Sequence, residues 1–461
     1  MKEWVNDLWR LFPNGTTNQM LLGYWTQLTM LQKNESLELT PVFKSGGNYF
    51  FGYYDKSPIS ADGTKHLALR VDSFDDLPDK HMAAEIGYFD LSLNSEHFHV
   101  LAQTKTFNWQ QGCMLQWYGD KNTKVIYNDL IDGQFSSVVL DINTLDKTTL
   151  PLSIYTLSSD SSFALCIDNE RHHWVRRAYS YDGVSNNEKN KKLVKGDGVY
   201  HLDTQSGKVK QIIDIEQLLE ISPLENMQGA THYVEHLMIA PGNTRFAFFH
   251  RWKLDDGGIY ARLYTANVNG SDIYLLNDSG RMSHYCWKNG YELFGWGGVP
   301  NHINKLRKHK NIVKLFIKPL LPLYKKLVKG NAIDGASKIS SLVTGDSYIL
   351  FEDKSKKRSK VPVELLNKDG HPSYCPVDCD WIITDTYPDA EGLAKLILFN
   401  QSSNQVIELG CLKSIKKFDN TINRCDLHPK WSYDGKKVSI DTMNDGVRSV
   451  YVYDVSEFIN G

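Results

Sequence analysis

Along most of the chain, apolar and polar residues alternate in short runs separated by turn residues. This is the period-2 pattern of strands with one face in a core. Seven stretches share a common start, a polar or His/Tyr-containing segment that runs through a turn into an alternating strand. They run from Gly52 to Leu69, Asn108 to Tyr127, Ser153 to Ile167, His232 to Phe249, Ser283 to Phe294, His371 to Thr384 and His428 to Ile440. Recognisable turns are Ser60-Ala61-Asp62-Gly63, Ala240-Pro241-Gly242-Asn243 and Ser432-Tyr433-Asp434-Gly435. Asp-Gly supplies the positive-φ position of a tight hairpin. A second hairpin follows, with strands such as Ile86 to Leu91, Gly198 to Asp203, Arg262 to Ala266 and Ser449 to Asp454, each read as the strand that closes a unit. Four short antiparallel strands per unit, repeated seven times, predict an all-β fold, a seven-bladed β-propeller spanning residues 41–461.

Two segments break the repeat. Residues 1–40, with Trp4, Leu8, Trp9, Leu11, Leu21, Leu22, Tyr24 and Trp25, carry a helical spacing, and part of this segment is expected to cover a blade edge. The insertion at about 301–345 opens with nine Lys/Arg and no acid between Asn301 and Gly330, interleaved with Leu306, Ile312, Leu315, Phe316, Leu320 and Leu323. A basic amphipathic helix of this kind suits an anionic membrane surface or a partner, with Pro319 and Pro322 breaking it in two.

Composition narrows the field. The 461 residues are 41% hydrophobic and 23% charged, ordinary globular usage, and the net charge is -2. No bulk positive field exists to hold a nucleic acid, so none is expected as partner. Aromatic residues reach 12%, with 24 Tyr, 19 Phe and 11 Trp, which suits strands and sugar-binding clefts. Seven scattered cysteines and an N-terminus mixing Lys2, Glu3, Asp7 and Arg10 argue against a disulfide framework or a secretory leader. A cytoplasmic protein, peripheral to a membrane through 301–330, is the expectation.

In a propeller the segments entering the innermost strands converge on one funnel. Here those positions hold Tyr53, Tyr54, Asp55, Asn108, Gln110, Gln111, His232, Tyr233, His284, Tyr285, His371 and His428. Four histidines at repeat starts point to a metal or to proton transfer. Arg171-His172-His173, Arg176-Arg177, Tyr179, Tyr181, His250-Arg251-Trp252 and Thr384-Asp385-Thr386-Tyr387 gather near other strand ends. Arg forks onto carboxylates and Tyr and Trp stack on sugar rings, so the set suits an acidic sugar. Phosphate-loop, dinucleotide and nucleophile-elbow motifs are missing, and Cys375-x3-Cys379 is only half a zinc site.

The stretches Phe51 to Pro58, Asn108 to Gly112, Tyr127 to Asp129, Phe249 to Trp252, Ser283-His284, Gly370 to Tyr374, Thr384 to Asp389 and Asp426 to Ser432 resemble the seven-bladed propeller polysaccharide lyases of the ulvan lyase kind and, more distantly, oligogalacturonate lyases. The resemblance covers about 45–460 apart from the basic insertion. It implies β-elimination at a uronate in an acidic polysaccharide or oligosaccharide, with a Tyr moving the C5 proton and His and Arg neutralising the carboxylate. Carried onto this chain, it implies Tyr179 or Tyr181 and Tyr233 for the proton, Arg251 with His250 at the carboxylate, and His232, His284 and His371 assisting. Tyr54, Asn108, Gln111, Asn128, Arg171, Tyr181, His371 and Tyr387 are the expected substrate contacts, and His428 is the candidate ligand for a divalent metal. A second reading stays open, because Asn108 and Asn128 hydrogen-bond a sugar but take no proton. That reading is a glycan-binding or sugar-transfer protein of surface-polysaccharide biosynthesis at the membrane.

Overall fold

The structure is a computed structural model. It describes residues 35–93, 95–185, 188–298, 346–362, 364–418 and 421–459. Seven antiparallel sheets of four strands follow one another in chain order, each with its first strand innermost. The first blade is Tyr49–Phe50, Lys65–Arg70, Ala84–Asp90 and Phe98–Thr104; the fourth is Thr231–Ile239, Arg245–Lys253, Ile259–Asn267 and Tyr274–Gly280. The repeated turn has one mechanism. In Ser60 to Gly63, Ser158 to Ser161 and Ser432 to Gly435 the first residue's carbonyl accepts from the fourth residue's N–H, and the third residue, an Asp, accepts from the Ser hydroxyl. The strands expected to close a unit are instead third strands in the first, third and fourth blades, each followed by one more.

The seventh blade, Lys430–Trp431, Lys437–Thr442 and Ser449–Asp454, takes its fourth strand from the other end of the chain. Phe43–Lys44 pairs antiparallel with Val452 and Tyr451 and closes the ring. Residues 35–40, expected to be helical, are extended: Glu35–Ser36 adds a fifth, parallel strand to the outer edge of the sixth blade at Ile407 and Glu408. That placement covers a sheet edge. The remainder of the expected N-terminal helical segment and the basic insertion at 301–345 lie outside the described residues. Among the described residues no helix is long and apolar enough to cross a membrane.

The core is a ring of inter-blade interfaces. Leu67, Leu69 and Ile86 meet Trp117, Val125 and Tyr127 between the first two blades, and Ile383, Leu396 and Leu398 meet Val438, Ile440 and Tyr451 between the last two. Indoles tie neighbours together on the inside. Trp117, Trp287 and Trp431 each donate Nε1–H to a carbonyl of the preceding blade, at Pro58, Met238 and Ser373. At the closure, buried Asp441 accepts from the N–H groups of Phe51 and Gly52 and from Lys430 Nζ, with Arg448 4.0 Å away.

Buried His66 shares a 2.7 Å hydrogen bond with Ser439 across this seam. Burial, with the Lys430 charge nearby, pushes its pKa down to about 3 from 6.5. The folded pKa is depressed, so the unfolded chain takes the proton first and stability falls as pH drops below 6.5. By about pH 5 this one group is expected to cost about 2 kcal/mol. Urea unfolding at stepped pH should therefore show a shallower decline for His66→Gln than for the parent chain; parallel declines would refute it.

Candidate active site at the hub

Blade starts from across the ring meet at the hub. The His371 ring lies 4.3 Å from those of His284 and His428, and the His284 ring is 6.2 Å from His236. Tyr53 sits between, 5.3 Å from His236 and 5.2 Å from His428, while Tyr54 lies 5.4 Å from His371. These six side chains are buried and form the floor. The rim comes from longer connections. In the third blade, the segment between Phe163–Cys166 and Gly198–Asp203 forms the short helix Asn169–Val175, started by the Asp168 side chain accepting from the Arg171 N–H. That segment brings His172, Arg176 and Tyr179 to the hub. Tyr387 follows the second strand of the sixth blade, Trp381–Asp385, and Arg424 with Asp426 precede the seventh.

His236 is held by its backbone. Its N–H donates to Tyr155 Oη at 2.9 Å, its carbonyl accepts from Tyr285 Oη, and Tyr54 Oη donates to the Tyr285 carbonyl at 2.8 Å. Gln111 Nε2 donates to the same Tyr155 oxygen. The residue occupies the left-handed region at φ 56°, as does His428 at φ 43°. Both are held there by hydrogen bonds from their neighbours, His428 through its N–H to Asp385.

Two carboxylates organise the charges. Glu235 is fully buried and meets Arg176 Nε at 3.2 Å, Arg251 Nε, His172 Nε2 at 3.6 Å and His236 Nδ1 at 3.5 Å. Burial alone would raise its pKa; Arg176 and Arg251 outweigh that and hold it well below the usual range. Asp385 accepts from the His371 N–H at 2.7 Å, from His371 Nδ1 at 2.9 Å and from the His428 N–H at 3.1 Å. His371 is thereby raised above 6.5, Asp385 overcoming desolvation. Burial instead pushes His236 and His428 well below 6.5, and His284 lower, so these rings are neutral at pH 7. The phenols of Tyr53, Tyr54 and Tyr179 are raised by burial and keep their protons.

One cluster has the donors of a metal centre. Ligand atoms of His371, His428 and Asp426 lie within 4.8 Å of one another. His371 Nε2 and both ring nitrogens of His428 are buried without a hydrogen-bond partner. Because Asp385 takes Nδ1 of His371, Nε2 is left to face the cluster, the carboxylate–histidine arrangement that orients a ligating imidazole. Two imidazoles and a carboxylate suit zinc, manganese or a related divalent cation.

The rim pairs guanidinium with phenol. Arg176 stacks over Tyr179 at 4.5 Å and Arg424 over Tyr387 at 4.6 Å. Arg424 also forks onto Asp426 at 2.5 and 2.8 Å. Of the sequence candidates, Tyr54, Tyr179, His284, His371, Tyr387 and His428 therefore meet at the hub, and Arg251 joins them through Glu235.

Several others do not. The expected pairing of His250 with Arg251 is corrected by strand alternation: Phe249 and Arg251 face the fifth blade, while Phe248 and His250 face the third. His250 instead stacks with His232, nitrogen to nitrogen at 3.0 Å, and His232 bonds the Met227 carbonyl. Arg171 is buried 3.8 Å from Asp197. Asn128 is consumed by Ile154, whose N–H and carbonyl it binds, and by the Tyr181 hydroxyl. Asn108 accepts from the N–H groups of Gln110 and Gln111, capping a tight turn, and Gln111 acts on Tyr155. Tyr233, by contrast, stays beside the Glu235 cluster, across from Arg251 and with its ring 6.2 Å from that of His172, its hydroxyl buried.

Glu235, His236 and Arg424 are not among the sequence candidates. The register of the innermost strand shifts between Glu235 and Met238, which carries the hub position past His232. An adjacent Glu-His within an otherwise apolar strand was the available signal.

No known protein family and no curated relative matches the sequence. Solved structures do. Oligogalacturonate lyase from Vibrio parahaemolyticus superposes with a TM-score of 0.57 at 14% identity, covering 91% of this chain and 94% of that one. An oligogalacturonate lyase in complex with manganese matches with the same score and identity, over 92% and 94%. At this identity the likeness is one of architecture: the chain is a seven-bladed propeller of the kind on which oligogalacturonate lyases are built.

Proposed function

We propose that the hub cleaves a uronate-containing oligosaccharide by β-elimination. The observation that carries the reading is the buried His236 imidazole, fixed through its backbone by Tyr155 and Tyr285, with the Tyr53 and Tyr179 rings 5.3 and 5.6 Å away and the guanidiniums of Arg176 and Arg251 on the adjoining Glu235. Elimination needs three things: a neutralised carboxylate to acidify the C5 proton, an acceptor for that proton, and a donor for the departing oxygen. Arg176 and Arg424 at the rim attract the carboxylate. His236 has a lone pair at pH 7 and takes the C5 proton. The C5 electron pair forms the C4–C5 double bond as the C4–O bond breaks. Tyr179, its ring 5.6 Å from that of His236, returns a proton to the leaving oxygen.

The solved neighbour holding manganese supports a divalent cation at His371, His428 and Asp426. Such an ion would supply Lewis-acid neutralisation of the uronate carboxylate. His371 and His428 would hold it, Asp385 would orient His371, and Arg424 would fix the position of the Asp426 carboxylate through its paired hydrogen bonds. His428→Ala is expected to weaken manganese binding by about tenfold, read by titration against a fluorescent chelator, since one of three donors is lost. Equal affinity in parent and variant would remove His428 from the centre.

Incubating the chain with oligogalacturonates and other uronate oligosaccharides tests the function. Growth of the ultraviolet absorbance of an unsaturated uronate is the expected result. A flat trace across the panel, with and without manganese, would sink elimination and leave glycan binding or sugar transfer as the reading.

A further inference from the structure

We infer that His97 and His99, at the outer rim of the first blade, form a metal site of their own, a two-imidazole chelate for a borderline divalent ion such as zinc, copper or nickel. They stand at the start of Phe98–Thr104, the last strand of its sheet. Three inter-strand steps of about 4.8 Å separate that strand from the innermost one. The site therefore does not depend on what the hub does.

Strand alternation brings the two rings together. Phe98, between them, is buried in the seam with the seventh blade, its ring 5.0 Å from those of Tyr49 and Phe89. That anchor fixes which way the strand faces, and His97 and His99 both turn to the other side. Their ring centroids lie 4.6 Å apart with the planes at 89°. Two imidazoles sharing one ion, each nitrogen about 2.0–2.1 Å from it, have centroids about 4.5–5 Å apart at ligand angles of about 90–110°. The pair therefore already stands at chelating separation. Tyr88, directly across from His99, stacks on its ring at 4.8 Å and 11° and packs in turn against the core shared with the second blade. One of the two ligands is thus held in place before any ion arrives.

The surroundings leave the nitrogens available. His97 is exposed and His99 half-buried, so an ion reaches them without opening the fold. Among the described residues no protein group hydrogen-bonds to either ring. The contrast is the buried pair of His232 and His250, whose facing nitrogens are spent on each other. Asp90, one register step past Phe89 and Phe98, and Lys65 across from it set one charge of each sign on the same face. The affinity accordingly comes from the imidazoles. Two such nitrogens without a carboxylate favour zinc, copper and nickel over manganese, with water completing the coordination. The hub cluster, which includes Asp426, suits manganese as well.

Calorimetric titration of the full chain with nickel and with manganese tests the site. The chain should take up one more equivalent of nickel than of manganese. In His97→Gln and in His99→Gln that extra equivalent should weaken by about a hundredfold, because one ring alone does not chelate. Both positions lie at the surface, so the melting curve should not move. In the His371→Ala chain the extra nickel should persist, and copper bound there should show two equatorial nitrogens by electron paramagnetic resonance. Extra nickel that survives in the chain carrying both glutamines, or a parent chain that binds the two metals in equal number, overturns the site. A single variant that binds as tightly as the parent overturns the chelate. A hub that takes no metal leaves the edge equivalent alone, and it must still vanish when both histidines are replaced.

Discussion

If the hub eliminates as proposed, His236→Asn is expected to lower kcat on oligogalacturonate by about 10³-fold, within the range of a lost proton acceptor, with a much smaller change in KM. Asn is the informative replacement. It tolerates the left-handed backbone that His236 occupies, so the hub is not forced to rearrange. It can still hydrogen-bond, but it cannot accept a proton near pH 7. The hydrogen bonds of Tyr155 and Tyr285 are to the His236 backbone and survive the change. A parallel variant, Tyr155→Phe, removes the partner of that N–H and tests position rather than chemistry. A His236→Asn enzyme that turns over within about threefold of the parent would rule His236 out as the acceptor and return the task to Tyr179.

Asp441→Ala destabilises the propeller by about 3–5 kcal/mol, a large share of a domain's usual 5–15 kcal/mol. Asp441 is the counter-charge for Lys430 and lies 4.0 Å from Arg448, and all three are buried. It also receives the N–H groups of Phe51 and Gly52 where the first blade meets the seventh. Removing the carboxylate leaves two cations and two N–H groups in a dry interface. Urea denaturation should show the loss as a lower midpoint. Adding Lys430→Met to Asp441→Ala should recover part of it, because one stranded cation goes with it. An unchanged midpoint in Asp441→Ala would mean that this cluster does not hold the seam.

The propeller was legible in the sequence because each hairpin repeats the same local chemistry. Ser-x-Asp turns cap their own backbone wherever they occur, and alternation then fixes which face of each strand is apolar. Much of the site was legible where a residue stands at the entrance to an innermost strand. His284, His371 and His428 stand there. His236 does not, because a shift in register moves the hub position along the strand. His250 and Arg251 looked like a pair in sequence, yet adjacent strand residues point to opposite faces. Arg176 reached the hub on a connection within the third blade, where blade periodicity gives no coordinate. Asn108 at a blade start and Asn128 within the second strand of its blade show the converse: polar residues spent on backbone groups of the neighbouring turn or blade.

The clasp at Phe43–Lys44 sets an order for biosynthesis. The strand that completes the last blade is made before the first blade, and its partner, Ser449–Asp454, is made only after six blades and two strands of the seventh. A nascent chain on the ribosome therefore carries an unmatched sheet edge for nearly its entire translation. His371, Asp426 and His428 emerge only in the last stages, so the hub is assembled when the circle is joined, and a truncated product would lack it.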